Sequence, residues 1–379
     1  MLIAQMLIAI SVAVLAWVFV GYPLFVLTRG RFLKRSYETS EETPSISVIV
    51  AAYNEAESIG DRIRNLLSLD YPESQLQIVV ASDGSSDDTV SIARGFEPHS
   101  ITVLDLPRAG KIPAVNTAIQ HATGEFVVMT DANSHFEPGT LRALMRPFAD
   151  SSVGGVAGNQ VYAKNKPDTD AEGEQLYWNL DRRLKQALSN TWSVVSATGA
   201  VYAIRRSLVP KIPSAVTDDF YISTNVIATG HRLVFAPDAI AIEPTAEKTT
   251  GEFARKVRVI TRGFRALWER RTLFNPLRTG LYAVDLLTYK FLKRLVSIPL
   301  LVSFICSGIL AIESKLFLAG FCLQAIGYGI AIVGWILAGT AIGRFRPISI
   351  AAYVGMVNIA ALRALWNSLV GRRIDRWEP

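Results

Sequence analysis

Cysteine is almost missing from this chain of 379 residues: Cys306 and Cys322 are the only two, and both fall inside apolar runs. They read as packing residues, and no disulfide framework or cysteine zinc set can be built from them. Two phosphate cradles are missing as well. No G-x-G-x-x-G follows the first strand-like run, and "RAGK" (residues 108–111) lacks the first glycine of a Walker loop. There is no basic-aromatic stripe and no helix-turn-helix signal, so nucleic acid is excluded as a partner. Internal repeats and low-complexity tracts are absent too. Charge is lacking over long stretches: residues 1–28, 295–312, 316–343 and 347–362 carry no Asp, Glu, Lys or Arg.

What is present is apolar. Half of the residues are hydrophobic, mean hydropathy is +0.27, and the formal net charge is +6. Residues 1–28 are long enough to span a bilayer, and Arg29, Arg31, Lys34 and Arg35 behind them belong on the cytoplasmic side. A cleavable signal is the rival, but a basic start is lacking and the apolar part is longer than an h-region. The expected organisation is an N-terminal transmembrane helix (1–28), a basic linker (29–44) and a cytoplasmic catalytic domain (45–250). Amphipathic interfacial helices (251–294), two transmembrane helices (295–343) and a third transmembrane or re-entrant helix with a basic tail (344–379) follow. A full third crossing would carry that tail outside, against the positive-inside tendency; a re-entrant helix removes the conflict. Basic clusters beside apolar spans suit anionic lipid headgroups, so the bilayer is an expected partner.

The middle of the chain alternates. Residues 45–52 ("SISVIVAA"), 77–81, 101–106 and 126–130 are apolar, β-branched runs that predict buried strands. Helical patterns follow the first through about residue 69, open at "SDGSSDDT" (82–89), and cover 111–121. This order predicts an α/β fold with a mostly parallel sheet and helices on both faces. Ligands of such sheets sit beyond the carboxyl ends of the strands, where Asn54, Asp83 and Asp131 all fall.

In "SDGSSDDT", Ser85 or Ser86 suits a helix cap, and Asp87 and Asp88 suit a first turn. Asp83 precedes the turn and is left as a ligand candidate. Asp131-Ala132-Asn133 is either an Asx turn or a metal site. One carboxylate plus diphosphate oxygens suffices for Mg²⁺ or Mn²⁺, with the Asn133 carbonyl as a neutral second ligand and His135 as a substitute.

Five segments together resemble the family 2 glycosyltransferases, above all membrane-embedded polysaccharide synthases, over about residues 44–265. They are "SVIVAAYNEAESI", "ASDGSSDDT", "TDAN", "TGAVYAIRR" and "TDDF", in that order. The resemblance implies a Rossmann-like GT-A domain and a nucleotide site at Ala52, Tyr53, Asn54, Glu55, Asp83, Lys111, Asp131 and Ala132, with Asn116 in a nearby segment. It further implies a metal at Asp131 and Asn133, an acceptor segment at Thr198 and Gly199, and a catalytic base at Asp219 beside Asp218. Read without it, "VTDDF" is a helix start capped by Thr217. Arg205 and Arg206 read as surface or interface charges.

Residues 252–270 form a basic amphipathic helix suited to a membrane surface. The family's Q/R-x-x-R-W motif appears in it as Arg255 to Val259, with valine in place of tryptophan. Arg255 and Arg258 still suit a diphosphate, but the aromatic platform for an acceptor sugar is gone. Trp377 near the end suits either a side chain laid back over the site or, by preference, an interfacial anchor. Few polar residues punctuate the apolar spans, and Gln324, Asn358 and Arg363 alone offer lining for an export path.

The resulting expectation is an inverting glycosyltransferase in the cytoplasmic membrane, multi-pass, with a cytoplasmic catalytic domain. It takes a sugar from a nucleoside-diphosphate donor, UDP-linked by preference, to a growing surface or extracellular polysaccharide. The alternatives are transfer of one sugar to a lipid acceptor such as polyprenyl phosphate or diacylglycerol, and a non-catalytic nucleotide-binding membrane subunit.

Overall fold

The computed structural model describes residues 1–97, 100–163, 171–244, 251–372 and 374, with only the backbone of 171–178. Two compact units emerge, one from residues 26–244 and 268–283, the other from residues 1–25, 251–267 and 284–372.

The first unit is built on eight strands: β1 (Ile46–Ala52), β2 (Leu76–Asp83), β3 (Ile101–Leu106), β4 (Phe126–Asp131), β5 (His135–Phe136), β6 (Val153–Tyr162), β7 (Tyr202–Arg205) and β8 (Arg232–Glu243), in the order β3-β2-β1-β4-β7-β6-β8-β5. β1 is buried at every position and pairs in parallel with β2 and β4. A strand covered on both faces reads as a continuous apolar run, which is why the alternation typical of half-exposed strands is missing here. β7 runs antiparallel to both β4 and β6 and breaks the parallel order. β6 and β8 resume it, and β5 closes the edge antiparallel to β8.

The register sets the position of the acids. Asp131 lies level with Ala51, and Ser82 level with Ala52, so Asp83 and Asp131 end the two strands flanking β1. They lie on opposite sides of β1, Asp83 two residues further along the strand direction than Asp131. Because β7 is reversed, with Met129 opposite Tyr202, the segment entering β7 reaches the edge where β4 ends.

Helix α1 is Leu2–Phe32. In the sheet unit follow α2 (Ile59–Leu67), α3 (Thr89–Arg94), α4 (Lys111–Gln120), α5 (Thr140–Met145), α6 (Ala171–Thr191) and α7 (Asp218–Ala228). Cross-links hold this unit together away from the site. Arg232, fully buried, donates to the carbonyls of Trp192, Ser36, Arg35 and Ser189 at 3.0 to 3.3 Å. Arg205 and Arg206, expected as surface charges, instead donate to the carbonyls of Val153, Phe148 and Gly124 and tie strand ends together.

The second unit is helical: most of α8 (Glu252–Glu269) and α9 (Leu281–Arg294), then α10 (Ser297–Leu310), α11 (Lys315–Ile336) and α12 (Arg346–Leu369). Among the described residues three helices, α1, α11 and α12, are long and apolar enough to cross a membrane. The 22 residues of α11 reach about 33 Å, one hydrocarbon core. α10 is 14 residues, short of a crossing alone, and with α9 makes a pair bent by 58° that would count as a fourth span. α12 is one unbroken helix of 24 residues. Internal polar contacts include Ser303 to Gln324 (3.0 Å), Trp335 to the Ala352 carbonyl (2.8 Å) and Tyr22 to Asp285 (3.3 Å).

Candidate active site

The site grows from the ends of β4 and β7 and the starts of α4 and α7. Gly110, at φ 103°, caps α4 in a conformation that favours glycine and turns the chain so that Lys111 begins the helix. The Lys111 ammonium donates to Asp131 Oδ1 at 3.0 Å and lies 3.3 Å from Asp218 Oδ2, linking strand end and helix start across more than a hundred residues. Burial opposes that charge, but Asp131, Asp218 and Asp219 outweigh it and hold the lysine above its ordinary range. Lys111 is 22% exposed, Asp131 35% and Asp218 17%, so the trio borders solvent.

Asp218 and Asp219 form the first turn of α7, where the peptide dipoles favour acids. Thr217 occupies the cap position without a side-chain cap bond, so the cap expected there is not made. Asp219 Oδ1 accepts from the Phe220 amide at 2.7 Å. Tyr202, 1% exposed, has its phenol pushed well above the ordinary range by burial and by the charges of Asp218, Asp219 and Asp131 together. One tyrosine thus feels all three acids. Its hydroxyl has no hydrogen-bond partner among the described residues.

Gly199 keeps the space over Asp131 open: a Cβ there would lie 3.2 Å from Asp131 Oδ2. Thr198 beside it is half-buried, and its hydroxyl has no partner among the described residues. Asn133 is exposed in the turn after β4. Among the described residues no group of three or more His, Cys, Asp or Glu side chains is placed to hold a metal. The donor set therefore fits a hard divalent ion held by Asp131, with Asn133 nearby and the remaining ligands from water and diphosphate, and does not fit a caged metal. His135 is engaged elsewhere, with Nε2 3.2 Å from Asn65 Nδ2.

The expected nucleotide residues divide. Asp83 is 1% exposed, and its oxygens accept from Arg108 Nη1 (2.5 Å) and from the amides of Ala109 (2.7 Å) and Gly110 (2.8 Å). It organises the loop before Lys111. Arg108 lies over the Tyr53 ring at 3.3 Å. Asn54, at φ 54°, accepts from the Ser86 amide at 2.9 Å, and the Glu55 amide donates to Thr89 Oγ1 at 2.8 Å. Neither Ser85 nor Ser86 caps α3: Asp88 holds the cap position without a side-chain cap bond, and Asp87 before it accepts from the Thr89 amide and from the Ala56 amide at 3.0 Å. Ala52 and Ala132 are core residues. Asn116 binds the amide and carbonyl of Ile212 and fixes a loop. Arg255 and Arg258 lie on α8 in the helical unit, where Arg255 approaches Glu252 at 3.8 Å. Trp377 is outside the described residues.

Three residues near the acids were not singled out by sequence: Tyr202 and Arg108 lie inside the quoted segments "TGAVYAIRR" and "RAGK" without a role of their own, and Glu243 lies outside every motif. Glu243 ends β8, accepts from Ser134 (3.1 Å) and Gln160 (2.5 Å), and is held above the ordinary carboxyl range by burial and by Asp131.

Residues 47–212 match the model of Glycosyl transferase family 2. The chain is 24% identical over 258 residues to the poly-beta-1,6-N-acetyl-D-glucosamine synthase of Staphylococcus epidermidis, covering 66% of this chain and 61% of that protein. It is 25% identical over 256 residues to the probable glycosyltransferase YdaM of Bacillus subtilis (strain 168), covering 62% and 60%. The matched part is thus about three fifths of each of these relatives. Among solved structures it resembles the mannosyltransferase PcManGT from Pyrobaculum calidifontis, determined with GDP-Man and Mn²⁺, at a TM-score of 0.73 and 25% identity over 97% of this chain and 100% of that one. The sheet and its order are those of a GT-A domain.

Proposed function

Starting from a chain that carries a family 2 glycosyltransferase domain on a GT-A sheet, we propose that it transfers a sugar, with inversion, from a nucleoside-diphosphate donor to a carbohydrate acceptor at the cytoplasmic face of a membrane. The observation that carries this reading is the Lys111 ammonium held between Asp131 and Asp218. On this reading the ammonium is the fixed cation that meets the charge gained by a leaving diphosphate. Asp219 takes the proton of the acceptor hydroxyl. The freed oxygen forms a bond to the anomeric carbon as the bond from that carbon to the diphosphate oxygen breaks, and the nucleoside diphosphate leaves with the electron pair. Asp131, with Asn133, would hold Mg²⁺ or Mn²⁺, whose added positive charge on the diphosphate is the chemistry a bound ion supplies.

The loop of Asp83, Arg108 and Gly110 delivers Lys111, and Tyr53 and Asn54 frame the nucleoside side of the same edge. Thr198 and Gly199 line the acceptor side. The basic run behind α1 favours the cytoplasmic side for the sheet unit. A polysaccharide acceptor is favoured by the likeness to the poly-beta-1,6-N-acetyl-D-glucosamine synthase, and a UDP-linked donor by the resemblance of the five sequence segments. A second reading, one sugar added to a lipid acceptor, is favoured by Val259, 44% exposed where the motif has tryptophan; the likeness to a mannosyltransferase determined with GDP-Man makes a GDP-linked donor its counterpart.

The test is release of UDP or GDP from a panel of sugar nucleotides by the full chain in membranes. Wild type should release one of them in a metal-dependent way, and Asp219→Asn should lower the rate by about a thousandfold or more with the thermal midpoint kept. Unchanged turnover in Asp219→Asn would remove the assigned base. Product length, a ladder or one added residue, separates the two acceptors.

A further inference from the structure

Arg62 has no place in the chemistry above, yet it sits in the core of the sheet unit at 2% exposure. Its Nη1 donates to Asn65 Oδ1 at 2.6 Å, its Nη2 to Thr130 Oγ1 at 2.8 Å, and its guanidinium lies 4.2 Å from the centre of the Phe136 ring. Among the described residues no carboxylate pairs with it. Burial draws it down to about 9, and the one acid whose charge works against that is Asp131. A guanidinium in a core without an ion partner is costly, and an apolar side chain of like volume is usually tolerated as well or better. Stability alone does not account for it.

Its two partners reach opposite sides of the β4 end. Thr130, which precedes Asp131, also donates to the Ala200 carbonyl at 2.8 Å, next to Gly199. Asn65 accepts from the Phe136 amide at 2.8 Å and donates to the Phe136 carbonyl at 2.9 Å, which fixes the chain where it resumes after the Asp131–Ser134 turn. The planar guanidinium joins the two brackets with fixed geometry, as a lysine would not.

We propose that Arg62 is a positioning residue: it clamps the end of β4, the turn that carries Asp131 and Asn133, and the Thr198–Ala200 segment into one rigid group. The inference rests on the sugar-transfer reading of that site, although the clamp itself is open to test without turnover. Removing Arg62 orphans neither partner, since Asn65 keeps its bonds to Phe136 and Thr130 keeps Ala200. The fold should therefore survive while the relative placement of the three segments relaxes.

The experiment compares wild type, Arg62→Met, Arg62→Lys, Thr130→Val and Arg62→Met/Thr130→Val in the full chain. Hydrogen exchange is followed across 130–136 and 198–201 against 153–157, beside thermal midpoint, kcat and KM. Arg62→Met should keep its midpoint, speed exchange about tenfold in the two site segments only, and lower kcat about ten- to a hundredfold with donor KM nearly unchanged. Arg62→Lys should recover only a minor part. Thr130→Val should copy the loss, and the double variant should lose little more than either single one, the mark of a shared link. Unchanged local exchange overturns the clamp. So does a fallen midpoint with exchange raised throughout the sheet and normal turnover per folded molecule. If wild type releases no nucleoside diphosphate from any donor, the sugar-transfer reading is what has failed, and the exchange pattern still decides the clamp.

Discussion

Asp83 accepts the Gly110 amide with both carboxylate oxygens, at 2.8 and 3.0 Å, and Gly110 is the residue before Lys111. The acid at the end of β2 thus acts on the site through the backbone. Asp83→Asn turns one oxygen into a donor aimed at amides that also donate. Its thermal stability should fall by about 2 kcal/mol, the scale of one charge-assisted bond. Turnover should fall with it, because the loop that starts α4 loses its anchor. Calorimetric or fluorescence melting beside a release assay checks both.

Lys111→Met should lower kcat by about a hundredfold or more. The acids hold the ammonium above its ordinary range. A base with a raised folded value gives stability that is present below its unfolded value, near 10.4, and lost only as pH rises through the folded one. The melting difference between wild type and Lys111→Met should accordingly stay flat from pH 7 to 9. A gap that closes in that window would mean that the ammonium loses its proton there.

Gly199→Ala places a methyl group 3.2 Å from Asp131 Oδ2. The contact is tight but faces the half-open site. The melting midpoint should hardly move, whereas metal-dependent release should drop about tenfold or more. Titrating Mn²⁺ against the release rate checks it.

Glu243→Gln should behave oppositely to a usual surface change. Burial and the charge of Asp131 raise the Glu243 carboxyl, so the folded chain binds its proton more tightly than the unfolded one does. That contribution is fully present in acid, below the ordinary glutamate value, and is lost as pH rises through the shifted one. The glutamine variant keeps the neutral form. It should melt higher than wild type at pH 7, with the difference shrinking towards pH 4, and melting curves across that range decide it.

Much of this was legible in the residues. The alternation of apolar β-branched runs with helical patterns announced the parallel half of the sheet, because buried strands need those side chains wherever they occur. Asp131 stood out as a carboxylate ending such a run. The Lys111–Asp218 contact was not legible, since it depends on the reversal of β7, a matter of pairing partners that no local pattern encodes. Nor was the hydrogen bonding of Asp83 and Asn54. A carboxylate at a strand end looks alike whether it meets a ligand or the amides of its own next loop. Arg62 was hidden for a related reason: on an amphipathic helix an arginine reads as solvent-facing, and only a tertiary partner such as Thr130 reveals otherwise. The start of α3 shows the same limit at short range: neither serine caps it, and Asp87 instead ties the Thr89 amide to the Ala56 amide of a distant loop.

The reversed strand β7 has an evolutionary corollary. It delivers Thr198 and Gly199 to the β4 edge from a stretch of chain separate from the loop of Asp83 and Arg108, so on the proposed reading the two substrates are met by different segments. If that reading holds, a descendant changes the receiving molecule by exchanging the stretch leading into β7, and is free to do so only where a residue as small as Gly199 still faces Asp131.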